Sequence, residues 1–470
     1  MRVEENKTSL SGAQSTVTCP YCWRKPRGRC ARNRRSPKVR QTECFIKPKL
    51  LFYLALILSG DLFVFVSAAC CDSLPCKPQP NQPLPKLEFH FIHMIDRKTG
   101  WAENARAVLI TNHWRYNDRA MLRTTNGGKS WSYVLFADQK DDSMAACFYD
   151  AHTAWAVPTF DGATNVAVFH TMDGGRSWNR VKFTPPSVLL SSFLSFPDAK
   201  HGWLMLIPDH GMNSEPGTLY RTEDGAKQWE LANSTRWRDG YRDPEGGGPG
   251  FANRHPYLIC GGSIAFRDAS VGWKVGSLTT TTRNFLFITR DGGKHWQLEP
   301  LPVPTGIHAG WIQPTGPPKF FPPDRQDGIL PARFVLEDGR ATNFDTVIYD
   351  SDDGGLSWQS ATPVKFDGVW SFVSARQGWI WSPQPHDTDS TAPGKGTLYH
   401  TNDGGRSWRP VRPAKGLDKH LTHGQNIVQL DFVDGQCGWA IARDSHNFTQ
   451  LLHTADGGKT WGFIQATIQP

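Results

Sequence analysis

The side chains best suited to chemistry are concentrated between Asn233 and Gly262, where Arg236, Trp237, Arg238, Tyr241, Arg242, Arg254, His255 and Tyr257 mix guanidinium groups with flat aromatic faces. A guanidinium fork bonds carboxylates in pairs and stacks on rings. Trp and Tyr offer an apolar face with a polar edge, so the mixture suits a protein surface or a sugar ring. The plainer reading of the same stretch is a solvated loop. His308 with Trp311 forms a second candidate group. His386 with Asp387, and His420 with His423, are pairs where a metal site needs three or four ligands, so no metal and no cofactor are expected. Asp239 with Asp243, and Asp387 with Asp389, are the loop carboxylate pairs that an acid–base hydrolase could use. The chain has no Gly-rich phosphate loop, no serine nucleophile elbow and no HExxH zinc helix.

The elements that must position these loops come from a repeat. The stretch TNDGGRSW, Thr401 to Trp408, occurs in seven versions, which end at Trp131, Trp178, Trp229, Trp296, Trp358, Trp408 and Trp461. Each has a hydroxyl residue, an acid or its amide two positions later, then Gly and Trp. That is a specification for a tight turn: the acid accepts backbone N–H bonds, Gly permits positive φ, and the Trp ring anchors the next strand. The acceptors are Asn126, Asp173, Asp224, Asp291, Asp353, Asp403 and Asp456. Seven equivalents dispersed around a ring cannot converge on one bond, so they are structural, and Asn126 still supplies an acceptor oxygen. Between them runs a second signal, an apolar residue, a short polar turn and then Gly-Trp, at Trp101, Trp155, Trp203, Trp273, Trp379 and Trp439, with Ile329 in the degenerate seventh copy. Each unit therefore reads as four short strands. Seven units of about 50 residues predict an all-β fold over residues 86–470: a seven-bladed β-propeller of four-stranded antiparallel blades, with the Asp turn between third and fourth strands.

These residues resemble the Asp-box, or BNR-repeat, propellers, a superfamily that includes sialidases, the sortilin ectodomain, xyloglucan-type glycosidases and the photosystem II assembly and stability factor family. Over about Leu87 to Ile468 the paired Gly-Trp and TxDGGxxW pattern looks most like the last of these. That resemblance implies an assembly role in which the propeller grips a membrane-protein intermediate. The resemblance to sialidases implies glycoside hydrolysis instead, which needs an arginine trio, a Tyr nucleophile supported by Glu, and an Asp acid. No FRIP-like segment opens the repeat region, and its only glutamates are Glu88, Glu103, Glu215, Glu223, Glu230, Glu245, Glu299 and Glu337. Sialidases of this kind resemble six blades, and xyloglucan-type enzymes two propellers with a cleft between them. A monomeric binding module for a protein partner is therefore expected, with a glycan as the lesser alternative.

The chain's charge of +8 is local: residues 1–49 carry thirteen Lys and Arg against Glu4, Glu5 and Glu43, which leaves the remainder at −2. A near-neutral propeller offers no field to steer a polyanion, so nucleic acid is not expected. Residues 50–69 form an apolar run behind Lys47 and Lys49 that ends in Ser67-Ala68-Ala69, the pattern of an export signal cleaved after Ala69. Retained as a membrane anchor, it would bury Asp61 at about 2.5–3.5 kcal/mol. Either way the propeller lies outside the cytoplasm. Cys70 follows in the position of a lipoprotein acceptor, and residues 70–85 read as a linker. The basic leader 1–49 is long enough that a start placed too far upstream explains it best. Its Cys19, Cys22, Cys30 and Cys44 match a zinc knuckle only in the first spacing. Cys147, Cys260 and Cys437 allow one bridge at most within the propeller.

Strand order also predicts which face carries function. The first-to-second and third-to-fourth turns fall on one face and are nearly uniform in length. The insertions, Asn233 to Gly262, Pro300 to Phe320, Ser382 to Gly396 and Pro410 to Asn426, fall on the other, where a rigid scaffold usually displays binding residues.

Overall fold

The structure, a computed structural model, describes residues 87–469 apart from 111–112, 138–142, 160–164, 185–188, 209–216, 235–263, 278–283, 306–310, 336–343, 362, 384–395, 413–416, 418–420, 422–424 and 445. Within them the chain forms seven sheets, each built around consecutive antiparallel strands in sequence order, with one further parallel strand in the first. Where neighbouring sheets make their main contacts, one partner is a first strand, and the first strand of blade 1, Phe89–Met94, touches that of blade 7, Asn426–Phe432. First strands therefore lie innermost and the ring is closed: a seven-bladed β-propeller.

The repeated sequence signals account for the packing between blades. In every blade the last apolar residue before the first turn packs onto the blade behind it. Phe196 lies flat on Trp155 at 3.7 Å between ring centroids, Phe266 on Trp203 at 3.6 Å and Phe432 on Trp379 at 3.9 Å. Phe148 on Trp101 and Phe320 on Trp273 repeat the contact more loosely, at 5.6 and 4.9 Å. Where Ile329 replaces Trp it packs with Phe372, and at the closing seam Met94 packs with Trp439. Burying rings of this size contributes about 1.5–3 kcal/mol per side chain. The second-strand Trp also clamps the next blade through its indole N–H. Trp155, Trp203, Trp379 and Trp439 donate to the carbonyls of Gly225, Gly292, Gly457 and Gly127, and Trp101 donates to that of Asp150. At the seam between blades 4 and 5 the Arg267 guanidinium donates to the Gly354 carbonyl, and the buried Trp273 N–H finds no partner among the described residues.

The repeated turns are built as their residue types require. In the turn at Asp403 the carboxylate accepts the Ser407 N–H at 2.9 Å, the Ser407 hydroxyl at 2.5 Å and the Thr401 hydroxyl at 2.8 Å, while the Thr401 oxygen accepts the Gly405 N–H. Asn126 keeps the main bond, accepting the Ser130 N–H at 2.9 Å. The second glycine is needed: Gly175 has φ +82°, and a Cβ there would sit 2.6 Å from Cβ of Val134 in the blade behind. Burial works against ionising Asp403, but its hydroxyl and N–H donors outweigh it and hold the carboxyl below its usual range. Asp403→Ala removes these bonds and leaves their donors to water, so a loss of about 1–3 kcal/mol is expected. Ligand or partner binding is expected to be unchanged, and a variant with normal melting temperature but lost binding would contradict the structural role.

One bond repeated in all seven blades fixes the faces. The first glycine of each third-to-fourth turn donates its N–H to a carbonyl of the first-to-second turn in the same blade: Gly127 to Lys98, Gly174 to His152, Gly225 to Lys200, Gly292 to Ser270, Gly354 to Gln326, Gly404 to Arg376 and Gly457 to Gln436, all at 2.8–2.9 Å. Both kinds of turn thus share one face.

Two of the expected insertions are partly scaffold. Within 300–320, Trp311–Pro314 and Lys319–Phe320 are a divided first strand of blade 5, both pieces pairing with Gly328–Val335. The break falls at Thr315 to Pro318, where Pro317 and Pro318 have no N–H to give a ladder. Within 410–426, Leu417 and Leu421 are buried against Trp379, Trp381 and Leu430. The sheet of blade 1 draws on both ends of the repeat region: Thr467–Gln469 adds a parallel strand outside Ser130–Phe136.

Candidate functional site

Among the described residues the fold assembles a ring of mostly polar side chains at the inner edge of the seams. In each blade the residue paired with the second-strand Trp, or with Ile329, immediately precedes the apolar residue of the seam. These are His93, Cys147, Ser195, Ala265, Lys319, Ser371 and Asp431. An innermost strand exposes unpaired N–H and C=O groups along its edge, and these side chains satisfy them from the blade behind. The Ser195 hydroxyl accepts the Phe266 N–H at 2.8 Å, that of Ser371 accepts the Phe432 N–H at 3.0 Å, and Asp431 Oδ2 accepts the Met94 N–H at 2.6 Å. Lys319 reverses the polarity, its Nζ donating to the Phe372 carbonyl at 2.9 Å. Gln429 adds a two-way bond at the closing seam, accepting the Ile92 N–H and donating to the Ile92 carbonyl.

The charged members occupy one arc, blades 5, 7 and 1. Protein surrounds each of them closely, yet Lys319 remains exposed and His93 and Asp431 half-buried, as expected of groups that border a narrow opening. Desolvation pushes Asp431 up to about 7, against the opposing pull of the Met94 N–H and the Lys319 charge. It lowers Lys319, where Asp431 counteracts it, and brings His93 down to about 4 with help from Lys319. The arrangement can hold opposite charges near one another and exchange a proton close to neutrality. Cys147 and Cys437 are free thiols, and burial raises Cys147 to about 11, so it is no nucleophile at neutral pH.

Of the residues expected to bind a partner, Arg236, Trp237, Arg238, Tyr241, Arg242, Arg254, His255, Tyr257 and His308 lie outside the described residues. So do Cys70, Cys260, His386, His420 and His423. Trp311 opens the first strand of blade 5 and pairs with Val335 through its backbone. What the structure does fix is where the main insertion is rooted. Segment 235–263 leaves the end of Glu230–Ser234 and returns at the start of Ile264–Phe266. Both points are at the end of their sheets opposite the Gly-Gly turns. The segment 384–395, between Gly378–Pro383 and Gly396–Thr401, is rooted at that same end of blade 6. The axial ring went unseen in the sequence because its seven members share a position and no residue type. A buried ion pair, Arg119 with Glu103, and the buried Lys274 were missed for a like reason: Glu103 and Lys274 are single departures from second-strand positions that are apolar in the other blades.

Among solved structures the chain is similar to YCF48 bound to a D1 peptide, with 15% identity covering 78% of this chain and 92% of that one at a TM-score of 0.43. It is also similar to a family PL25 ulvan lyase (9% identity, 80% and 96% covered, TM-score 0.44) and to the fucose-binding lectin of Aleuria aurantia (10% identity, 80% and 96% covered, TM-score 0.40). These are likenesses of fold. No protein-family pattern and no curated protein matches the chain.

Proposed function

We propose that the protein is an exported or membrane-tethered binding module, acting as a monomer, which docks a protein partner through the face opposite its Gly-Gly turns. The observation that carries this reading is the asymmetry of the ring. One face consists of short turns locked together by seven equivalent backbone bonds, and both ends of the Arg- and aromatic-rich segment 235–263 are rooted on the other. Rigid strands that present long loops of that composition suit recognition of a protein surface, since Arg, Trp and Tyr dominate the energetics of such contacts. Assembly of a membrane-protein intermediate is the form of this role that the sequence pattern suggests.

The test replaces residues 235–262 with a short Gly-Ser linker and compares the two proteins in pull-downs from a membrane extract. The deletion is expected to leave the melting temperature within a few degrees, because both strand ends are already held in their sheets, and to abolish recovery of the partner. Recovery unchanged by the deletion would refute the chosen face.

A further inference from the structure

We propose that the axial arc formed by Lys319, Asp431 and His93 binds a small zwitterion, the α-ammonium carboxylate of a free amino acid being the chemical type. The members of the axial ring differ in what their polar groups have left to offer. Ser195 and Ser371 each use the hydroxyl oxygen on the next blade's backbone, and Ala265 has no polar group. Lys319 donates one of its three N–H bonds to Phe372, and Asp431 accepts the Met94 N–H at Oδ2. The remaining ammonium protons, Asp431 Oδ1 and both His93 ring nitrogens meet no hydrogen-bonding group among the described residues. His93 stacks on Phe148 at 5.9 Å between ring centroids.

Among the described residues no ion pair joins Lys319 and Asp431, each favours the charged form of the other, and Lys319 is exposed and Asp431 half-buried. A cation and an anion fixed apart by bonds to two different blades are complementary to a ligand with the reverse separation. Its carboxylate would meet Lys319 and its ammonium the free oxygen of Asp431, with His93 beside them as a further donor or acceptor. A ligand with one charge leaves the other protein group uncompensated in a crowded site, which is unfavourable. Blade 5 divides its first strand just before Lys319, while Ser371 of blade 6, between the two charges, is turned to its neighbour's backbone. This site is independent of the docking face proposed above.

The experiment titrates the full chain with L-alanine, acetate and methylammonium, followed by calorimetry and by the His93 ring resonances. Saturable L-alanine binding that moves those resonances is expected, with acetate and methylammonium weaker by about tenfold or more. Asp431→Asn keeps an acceptor for the Met94 N–H while removing the charge, and Lys319→Gln keeps a donor. Each is expected to weaken L-alanine by about tenfold or more. Absence of saturable binding, L-alanine affinity unchanged in both variants, or acetate binding as tightly as L-alanine would each overturn the proposal. Should a variant fail to fold, the three probes on the wild-type protein decide alone.

Discussion

Replacing Trp439 with alanine is expected to cost about 3–5 kcal/mol and to open the ring at one defined place. Trp439 is fully buried, packs with Met94, Phe89 and Trp131 of blade 1, and donates its indole N–H to the Gly127 carbonyl at 3.1 Å across 312 residues of sequence. Trp203 makes the same bond to Gly292. The difference lies in connectivity. Blades 3 and 4 are joined by the chain itself, whereas among the described residues blade 1 is held to blade 7 by side-chain bonds, packing and the short strand Thr467–Gln469, which continues the chain of blade 7 but is attached to blade 1 by pairing alone. Loss of the Trp203 contact leaves its two blades tethered, while loss of the Trp439 contact releases a closure of nearly the whole propeller, which tethering cannot restore. Trp439→Phe separates the contributions: it retains most of the packing and gives up a hydrogen bond of about 1 kcal/mol. The expected readout is a lower melting temperature for Trp439→Ala than for Trp203→Ala, with amide exchange rising first in Phe89–Met94 and Asn426–Phe432. Equal melting temperatures and uniform exchange would mean that the seventh seam is no weaker than the rest.

That seam also shows what the sequence made legible and what it left hidden. The Gly-Trp and TxDGGxxW signals predict blade number, strand order and the common face of the turns because each names a local conformation, a positive-φ glycine or an Asp acceptor, that only one kind of turn needs. The pairing of each Trp with the next blade's Phe was half visible. The apolar residue before each first turn, from Phe148 to Phe432, recurs on schedule, but its partner is some 50 residues away, and nothing local says which neighbour it will face. Blade 5 was harder. Trp311 to Phe320 contains too few consecutive ladder donors to read as a strand, and only pairing with Gly328–Val335 gives it that role. Leu417 and Leu421 are joined by the bond of the Leu421 N–H to the Leu417 carbonyl, and two leucines are too few for any periodicity to betray their burial. The axial ring lay beyond reach altogether, since His, Cys, Ser, Ala, Lys, Ser and Asp at equivalent positions carry no common signal until the blades are brought together.

Lys274 is the opposite case, a residue whose cost can be argued from its position in the repeat. Equivalent positions on the second strands of the other blades hold Ala102, Ala156, Leu204, Leu330, Ile380 and Ala440, all buried in the seams. Lys274 is 3% exposed in the same place, its ammonium 4.8 Å from the Trp296 ring centroid and 5.3 Å from that of Phe287. Desolvation brings it down to about 7. The unfolded chain holds the proton to about pH 10.4, so between roughly 7 and 10 it binds more protons than the folded one, and stability rises with pH through that window. Below it the folded protein carries a desolvated ammonium, which the two aromatic faces offset in part. Lys274→Met fills the same space without the charge. It is expected to raise stability by roughly 2–4 kcal/mol at pH 7, the advantage shrinking steadily toward pH 10. Melting curves of the two proteins at pH 6, 7, 8.5 and 9.5 provide the check, because the difference between them cancels every titration they share. A gap that stays constant with pH would mean that Lys274 keeps its ordinary proton affinity, and that the aromatic cage stabilises the ammonium as well as water does.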